Sequence, residues 1–89
     1  MKKYIIDYDL LDEDADYDSL KDSIKSLGVA ARIAKSSWFL SSNRSAIEIR
    51  EFLENQIEGD NRLFVAELNG DWAWHNIEES DKVKQLISK

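Results

Sequence analysis

The sequence has no cysteine, no proline and only one histidine among its 89 residues. Without cysteine the chain forms neither disulfide bonds nor cysteine-ligated zinc sites, and thiolate catalysis is excluded. The single histidine, His75, does not supply the ligand sets that transition metals prefer, and no Ser-His-Asp triad can be assembled around it. Metal chemistry in this chain would therefore have to rest on oxygen ligands.

Long hydrophobic runs, clustered glycines and an excess of positive charge are also absent. No apolar run approaches the roughly 18 residues of a membrane-spanning helix and no signal peptide is evident, so we expect a cytoplasmic protein without membrane contact. The three glycines are isolated, which excludes a glycine-rich phosphate loop. A net charge of −6 opposes broad contact with nucleic-acid phosphates. The length and the lack of a linker predict one domain over residues 1–89.

The chain begins with a predicted strand that carries carboxylates on one face. Residues 4–10 are rich in Tyr and Ile and alternate in polarity, as a strand with one buried face does. One face carries Tyr4, Ile6, Tyr8 and Leu10, and the other carries Ile5, Asp7 and Asp9.

An acidic segment follows this strand. Positions 12, 14 and 16 form the Asp-x-Asp-x-Asp pattern of a calcium loop, but that loop needs Gly at its sixth and Glu at its twelfth position. Those positions hold Tyr17 and Ser23, so the match fails. We interpret the acidic residues as the beginning of a helix, with Asp14 or Asp16 as its N-cap.

Periodicity, caps and turn signals predict the remaining elements. The first is a helix with Tyr17, Leu20, Ile24 and Leu27 on its apolar side. Residues 29–42 are predicted to form two short strands or one bent strand with a break near residues 35–37, and we prefer a tight hairpin. The second helix begins at a Ser45–Glu48 capping box, shows Ile49, Phe52, Leu53 and Ile57 at helical spacing, and stops at Gly59. A strand over residues 62–68, a returning strand over residues 71–76 and a short helix with Val83, Leu86 and Ile87 follow. Gly28 is predicted to end the first helix in the left-handed region, and Asn69-Gly70 is predicted to be a hairpin turn. The predicted fold class is therefore α+β, a ferredoxin-like βαββαβ sandwich with an added C-terminal strand and short helix.

This fold predicts an exposed sheet face and, through it, a homodimer. Both helices of the sandwich cover one face of the sheet, and the other face, which carries Ile5, remains open. An exposed apolar face of this kind is usually buried against another molecule, here a second copy of the chain. Trp72 and Trp74 fall on one side of the added strand, so we predict that Ile5, Trp72 and Trp74 lie at the interface.

Four short motifs are spread over nearly the whole chain: Tyr8-Asp9-Leu10, Ser37-Trp38, residues 61–65 and Ala73-Trp74. Through them the chain resembles the CRISPR-associated Cas-two family, and more closely its small SinR-like relatives from bacteria and phages. The resemblance implies a homodimer in which two open sheet faces pack together and the extra strand crosses to the partner's sheet. It also implies that Asp9 is the metal-binding catalytic residue and that Ser37, or Ser36, occupies the serine position of the family's third strand.

Two functions follow from this resemblance. The first is a binding or adaptor module in phage or host-defence biology, with a protein or a nucleic acid as partner. The second is an endonuclease acting on RNA or DNA, in which Asp9 carboxylates paired across the dimer hold Mg²⁺ and Asp7 adds a ligand. The structural alternative is that Asp9 caps the turn after its strand and that Asp7 pairs with Arg32 or Arg62. The acidic balance, and Asp7 at a position that is usually apolar in the family, favour the binding role over the enzyme.

Overall fold

A computed structural model describes residues 1–10, 17–57 and 61–88. Its elements in chain order are β1 (Lys2–Asp9), α1 (Tyr17–Ser26), β2 (Val29–Ala34), β3 (Ser37–Ser42), α2 (Ala46–Glu54), β4 (Arg62–Glu67) and α3 (Ser80–Ile87). The four strands form one antiparallel sheet in the order β2-β3-β1-β4. The protein is thus of the α+β class, and its architecture is compatible with a ferredoxin-like fold. None of the helices in the described ranges is both long and apolar enough to cross a membrane.

The alternation along β1 separates a buried face from an exposed one, as the sequence predicts. Tyr4, Ile6 and Tyr8 are buried, whereas Asp7 and Asp9 are exposed. β1 lies between β3 and β4, so it is a central strand, and its buried side chains lie in the middle of the core.

The core lies between one face of the sheet and helices α1 and α2, and we call this face the helix face. Leu20 and Ile24 of α1 and Ile49 and Leu53 of α2 are completely buried there, in one cluster with the β1 side chains. Each such side chain contributes about 1.5–3 kcal/mol through the apolar surface it removes from water. Trp38 is also buried in this cluster, and its Nε1–H donates to the Tyr8 hydroxyl at 3.2 Å.

The capping box at the start of α2 forms as predicted. The Ser45 hydroxyl accepts the Glu48 backbone N–H at 3.1 Å, and the Glu48 carboxylate accepts the Ser45 backbone N–H at 3.2 Å. The bond from the Ser45 backbone is the largest of the causes that hold the pKa of the Glu48 carboxyl below its ordinary value. The predicted caps Asp14 and Asp16, and the predicted stop at Gly59, lie outside the described residues.

Gly28 ends α1 for a reason other than the predicted one. The only glycine with positive φ in the described chain is Gly70, so the left-handed conformation expected at Gly28 is wrong. A Cβ at position 28 would instead overlap the backbone carbonyl oxygen of Ser41 on β3. Close approach of two backbone segments therefore explains the glycine.

The C-terminal strand predicted over residues 71–76 is not formed. Gly70, at φ +91°, turns the chain as the Asn-Gly signal predicts, but the following residues have no strand partner. They cross the sheet on the side opposite to the helix face, which we call the second face, and the Trp72 ring packs on Phe39 with a centroid separation of 5.4 Å. The segment thus buries tryptophan side chains on the second face instead of forming a ladder of hydrogen bonds to β4.

The second face is consequently not open over its whole width. Val83 and Leu86 of α3 pack against Ala31 and Phe39, in a second core cluster that also includes Trp72 and Trp74. The C-terminal segment therefore covers the half of the face formed by β2 and β3. In the half formed by β1 and β4, Asp7, Asp9 and Phe64 are exposed, whereas Ile5 is partly buried.

Candidate functional site

The uncovered half of the second face carries a group of side chains that we call the acidic patch: Asp7, Asp9, Ser37, Arg62 and Phe64. The strand registers place them in two rows. Ser37, Asp7 and Phe64 lie side by side across β3, β1 and β4, and Asp9 lies opposite Arg62 in the next row. A shallow depression of about 330 Å³ runs along β1 and β4 at residues 7–9 and 62–64. The sheet therefore brings the predicted site residues Asp7, Asp9 and Ser37 onto one surface.

Asp7 is held by a serine rather than by an arginine. The Ser37 hydroxyl donates to the Asp7 carboxylate at 2.6 Å. The predicted pairing of Asp7 with Arg32 or Arg62 is wrong, because the antiparallel register places Ser37 directly opposite Asp7. Hydrogen bonds to ionised acceptors are stronger than neutral ones, so this bond fixes both side chains at the surface.

Asp9 forms an ion pair with Arg62 on β4. The Arg62 guanidinium donates to the Asp9 carboxylate at 3.1 Å, and the two side chains are 71% and 60% exposed. Within the described residues Asp9 bonds sideways to the neighbouring strand, and the turn that it was predicted to cap lies outside them, at residues 11–16. Exposed pairs of this kind contribute about 0–1 kcal/mol, so the pair orients Asp9 more than it stabilises the fold.

The described carboxylates of one chain do not converge on a single point. Within residues 1–10, 17–57 and 61–88 there is no group of three His, Cys, Asp or Glu side chains that could hold a metal ion. Asp7 and Asp9 contribute two carboxylates, and one of these is already bound to an arginine. A Mg²⁺ site on this surface would therefore need ligands from elsewhere, such as a second copy.

Phe64 is the aromatic side chain that the sequence analysis missed. It is 63% exposed and lies beside Asp7. Its position could have been read from the sequence, because the alternation of the strand that buries Leu63 and Val65 on the helix face must point Phe64 to the other side.

The predicted interface residues lie mainly against their own chain. Trp72 and Trp74 are partly buried on the second face, where the Trp74 Nε1–H donates to the Ser80 hydroxyl at 3.3 Å. Ile5 is also partly buried, at an apolar depression of about 350 Å³ that His75 and both tryptophans border. The segment that carries the tryptophans therefore packs on its own sheet.

The two arginines on the strands of the sheet both lie beside carboxylates. Arg62 is paired with Asp9, and Arg32 lies 3.5 Å from the Glu78 carboxylate. The Arg32 guanidinium also lies over the Trp38 ring, 5.2 Å from its centroid. The patch itself therefore contains no unpaired arginine.

Comparison with known proteins gives no assignment: no protein-family model matches the chain, and no solved structure matches it.

Proposed function

We propose that the protein is a cytoplasmic, homodimeric binding module of the Cas-two-like class, with a ferredoxin-like sandwich, whose acidic patch engages a partner protein. The observation that carries this proposal is the exposed ring of Phe64 beside two carboxylates that Ser37 and Arg62 hold in place. Aromatic anchors in a polar rim are typical of protein-binding hot spots. The negative charge of the two carboxylates favours a partner with basic side chains.

The charges favour a protein partner over a nucleic acid. Nucleic-acid binding requires lysine and arginine side chains that are free to neutralise phosphates. The patch itself presents Asp7 and Asp9, and its one arginine is paired with Asp9. The chain as a whole has a net charge of −6. A phosphate backbone would be repelled by such a surface, whereas a basic protein segment would be attracted.

A capture experiment with matched variants tests the proposal. Immobilised wild-type protein and the variants Phe64→Ala, Asp7→Asn and Phe52→Ala would each be exposed to a lysate of the cell that encodes the chain. Phe52 is a partly exposed phenylalanine on α2, away from the second face, and serves as the control. We expect a protein that is retained by wild type and Phe52→Ala and is lost with Phe64→Ala and Asp7→Asn.

Two results would contradict this proposal. A partner retained equally by all variants would show that the acidic patch is not the binding surface. Binding of short single-stranded or duplex RNA or DNA, measured by fluorescence anisotropy and abolished by Phe64→Ala, would show that the partner is a nucleic acid.

A metal-dependent endonuclease is the second candidate function. The observation in its favour is that Asp7, Asp9 and Ser37 share one exposed surface, with Ser37 bonded to Asp7. If Mg²⁺ bridges the Asp9 carboxylates of two copies, RNA or DNA should be cut when Mg²⁺ is added, and Asp9→Asn should abolish cutting. Cleavage that persists in Asp9→Asn would point to a contaminating nuclease and would contradict the assignment.

A further inference from the structure

The chain protects one edge of its sheet. The register between β2 and β3 shifts between Arg32 and Ala34, which introduces an irregularity into this edge strand. The backbone N–H groups of Glu78 and Glu79 donate to the carbonyl oxygens of Ile33 and Arg32 at 2.9 Å each, and the Arg32 N–H donates to the Glu79 carboxylate at 2.8 Å. Bulges and covering segments are the devices by which proteins prevent an edge strand from pairing with another chain.

The other edge, formed by β4, has no such protection from the residues that the structure describes. The register between β1 and β4 is continuous, and the Leu68 N–H donates to the Lys3 carbonyl at 2.8 Å. Hydrogen-bonded and non-bonded pairs alternate in an antiparallel ladder, so the even-numbered residues of β4 bond to β1. The backbone groups of Leu63, Val65 and Glu67 therefore point away from the sheet. In the described part of the chain, none of these backbone groups has another hydrogen-bond partner.

Apolar side chains flank this unprotected edge on both faces. Phe64 is 63% exposed on the second face, and Leu63 and Val65 are only partly buried on the helix face. Ile47 of α2 is 65% exposed and borders a groove of about 360 Å³ along the same edge. The middle of β4 thus offers both hydrogen-bonding groups and apolar surface to a second strand.

We propose that β4 pairs in antiparallel orientation with β4 of a second copy of the chain, so that two four-stranded sheets form one continuous sheet. The side chains of β4 support a second copy as the partner strand, because they are complementary to themselves in antiparallel orientation. Arg62 begins the strand, so antiparallel pairing keeps the two Arg62 side chains at opposite ends of the interface, whereas parallel pairing would bring like charges together.

The side chains of β4 also fit this pairing. A two-fold axis perpendicular to the sheet requires that residues opposite one another lie on the same face. With Phe64 opposite Phe64 of the other copy, Leu63 lies opposite Val65, and apolar side chains meet on both faces. Leu63 and Val65 are among the residues whose backbone groups point outwards, so their N–H and C=O groups form the new hydrogen-bonded pairs.

This pairing would enlarge the partner-binding surface of each copy. The biological role of the dimer rests on the proposed function. A two-fold axis perpendicular to the sheet keeps the second faces of both copies on the same side. The two acidic patches then form one surface whose centre is the pair of Phe64 rings. A partner with two basic segments would bind both patches, and the second contact would form at a high effective concentration.

Amide hydrogen exchange on the wild-type protein tests the pairing directly. We expect protection of the Leu63, Val65 and Glu67 amides at concentrations where light scattering gives the mass of two chains, and loss of this protection on dilution to one chain. The Phe64 and Ala66 amides, which bond to β1, are the internal control and should be protected at both concentrations.

The other possible outcomes distinguish a failure of the edge pairing from a failure of the proposed function. A dimer in which the amides of Leu63, Val65 and Glu67 exchange rapidly would overturn edge pairing but leave the homodimeric binding module intact. A chain that remains monomeric at millimolar concentration would overturn both the pairing and the homodimer, while the capture experiment still tests the patch.

A pair of matched variants adds a second readout. Phe64→Lys would place two ammonium groups opposite each other at the two-fold axis, and we expect it to convert the dimer into a monomer. Phe52→Lys makes the same change on the side of α2 away from Ile47, and this variant should remain dimeric. Equal dimerisation of both variants would contradict the proposal.

Discussion

Replacing Trp72 by alanine tests whether the C-terminal segment belongs to its own sheet or to that of a partner. The Trp72 ring contacts Phe39 at a centroid separation of 5.4 Å and an interplanar angle of 56°, and it is partly buried. Truncation of a fully buried tryptophan costs about 3–5 kcal/mol, and a tilted aromatic pair contributes about 0.5–1.5 kcal/mol of this. For the partly buried ring we expect a loss of about 2–3 kcal/mol, which lowers Tm by roughly 10–20 °C in a domain of this size.

The assay is thermal unfolding, followed by circular dichroism at two protein concentrations that differ widely. A contact within one chain predicts the same difference in Tm between wild type and Trp72→Ala at both concentrations. Trp72→Phe is the graded control, because it keeps a ring against Phe39 and should lose less than half as much stability. A difference that vanishes on dilution would refute the reasoning, because it would show that Trp72 packs on a partner's sheet, as the Cas-two resemblance implies.

Four further changes give separate expectations. Gly28→Ala should destabilise the fold by about 1–3 kcal/mol in urea denaturation, because its Cβ would overlap the Ser41 carbonyl, and a wild-type midpoint would contradict this. Ser45→Ala should cost about 1 kcal/mol at neutral pH. The pKa of Glu48 is lowered in the folded state, so the stability that its carboxylate contributes is fully present above the ordinary value of 4.5. This stability is lost as the pH falls through the lowered pKa. Glu48→Gln should therefore make the free energy of unfolding depend less steeply on pH in the acid range. Asp9→Asn should change stability by less than about 1 kcal/mol, since the ion pair it breaks is exposed, and a larger loss would show a structural role that the geometry does not indicate.

The elements that follow from local chemistry could be predicted from the sequence. The period-two alternation of β1 and the Ser45–Glu48 capping box each depend on a few neighbouring residues, and the structure shows both. The hairpin of β2 and β3 also forms, with its turn at residues 35–36. Gly28 shows the limit of such reasoning, because its position after a helix suggested a left-handed conformation. The actual constraint comes from Ser41, on a different strand.

The path of the C-terminal segment could not be predicted from local signals. Asn69-Gly70 indicates where the chain turns, and Gly70 does adopt a positive φ. The turn signal does not determine whether the following residues pair with the edge of β4 or cross the second face. That choice depends on the apolar surface available at Phe39, which becomes known only once the sheet is assembled.

The partners of the two carboxylates depend on strand register, which is a global property of the sheet. Asp7 meets Ser37, and Asp9 meets Arg62, because of the alignment of β1 with both of its neighbours. A slip of one residue would move every side chain of a strand to the opposite face, so register is fixed by the core and not by the polar pairs themselves. The sequence thus identified Asp7, Asp9 and Ser37 as candidates, but it assigned Asp7 the wrong partner and did not identify Phe64.

The position of the acidic patch follows from the way in which the second face is divided. The segment that contains Trp72 covers β2 and β3, and the backbone of Glu78 and Glu79 closes the outer edge of β2. Among the described residues, no segment pairs with the outer side of β4. Had residues 71–76 paired with β4 as predicted, the backbone groups at the β4 edge would have been satisfied within the chain. Because the segment turns the other way, the uncovered face and the unpaired edge meet at Phe64, so the surfaces proposed for a partner protein and for a second copy lie side by side.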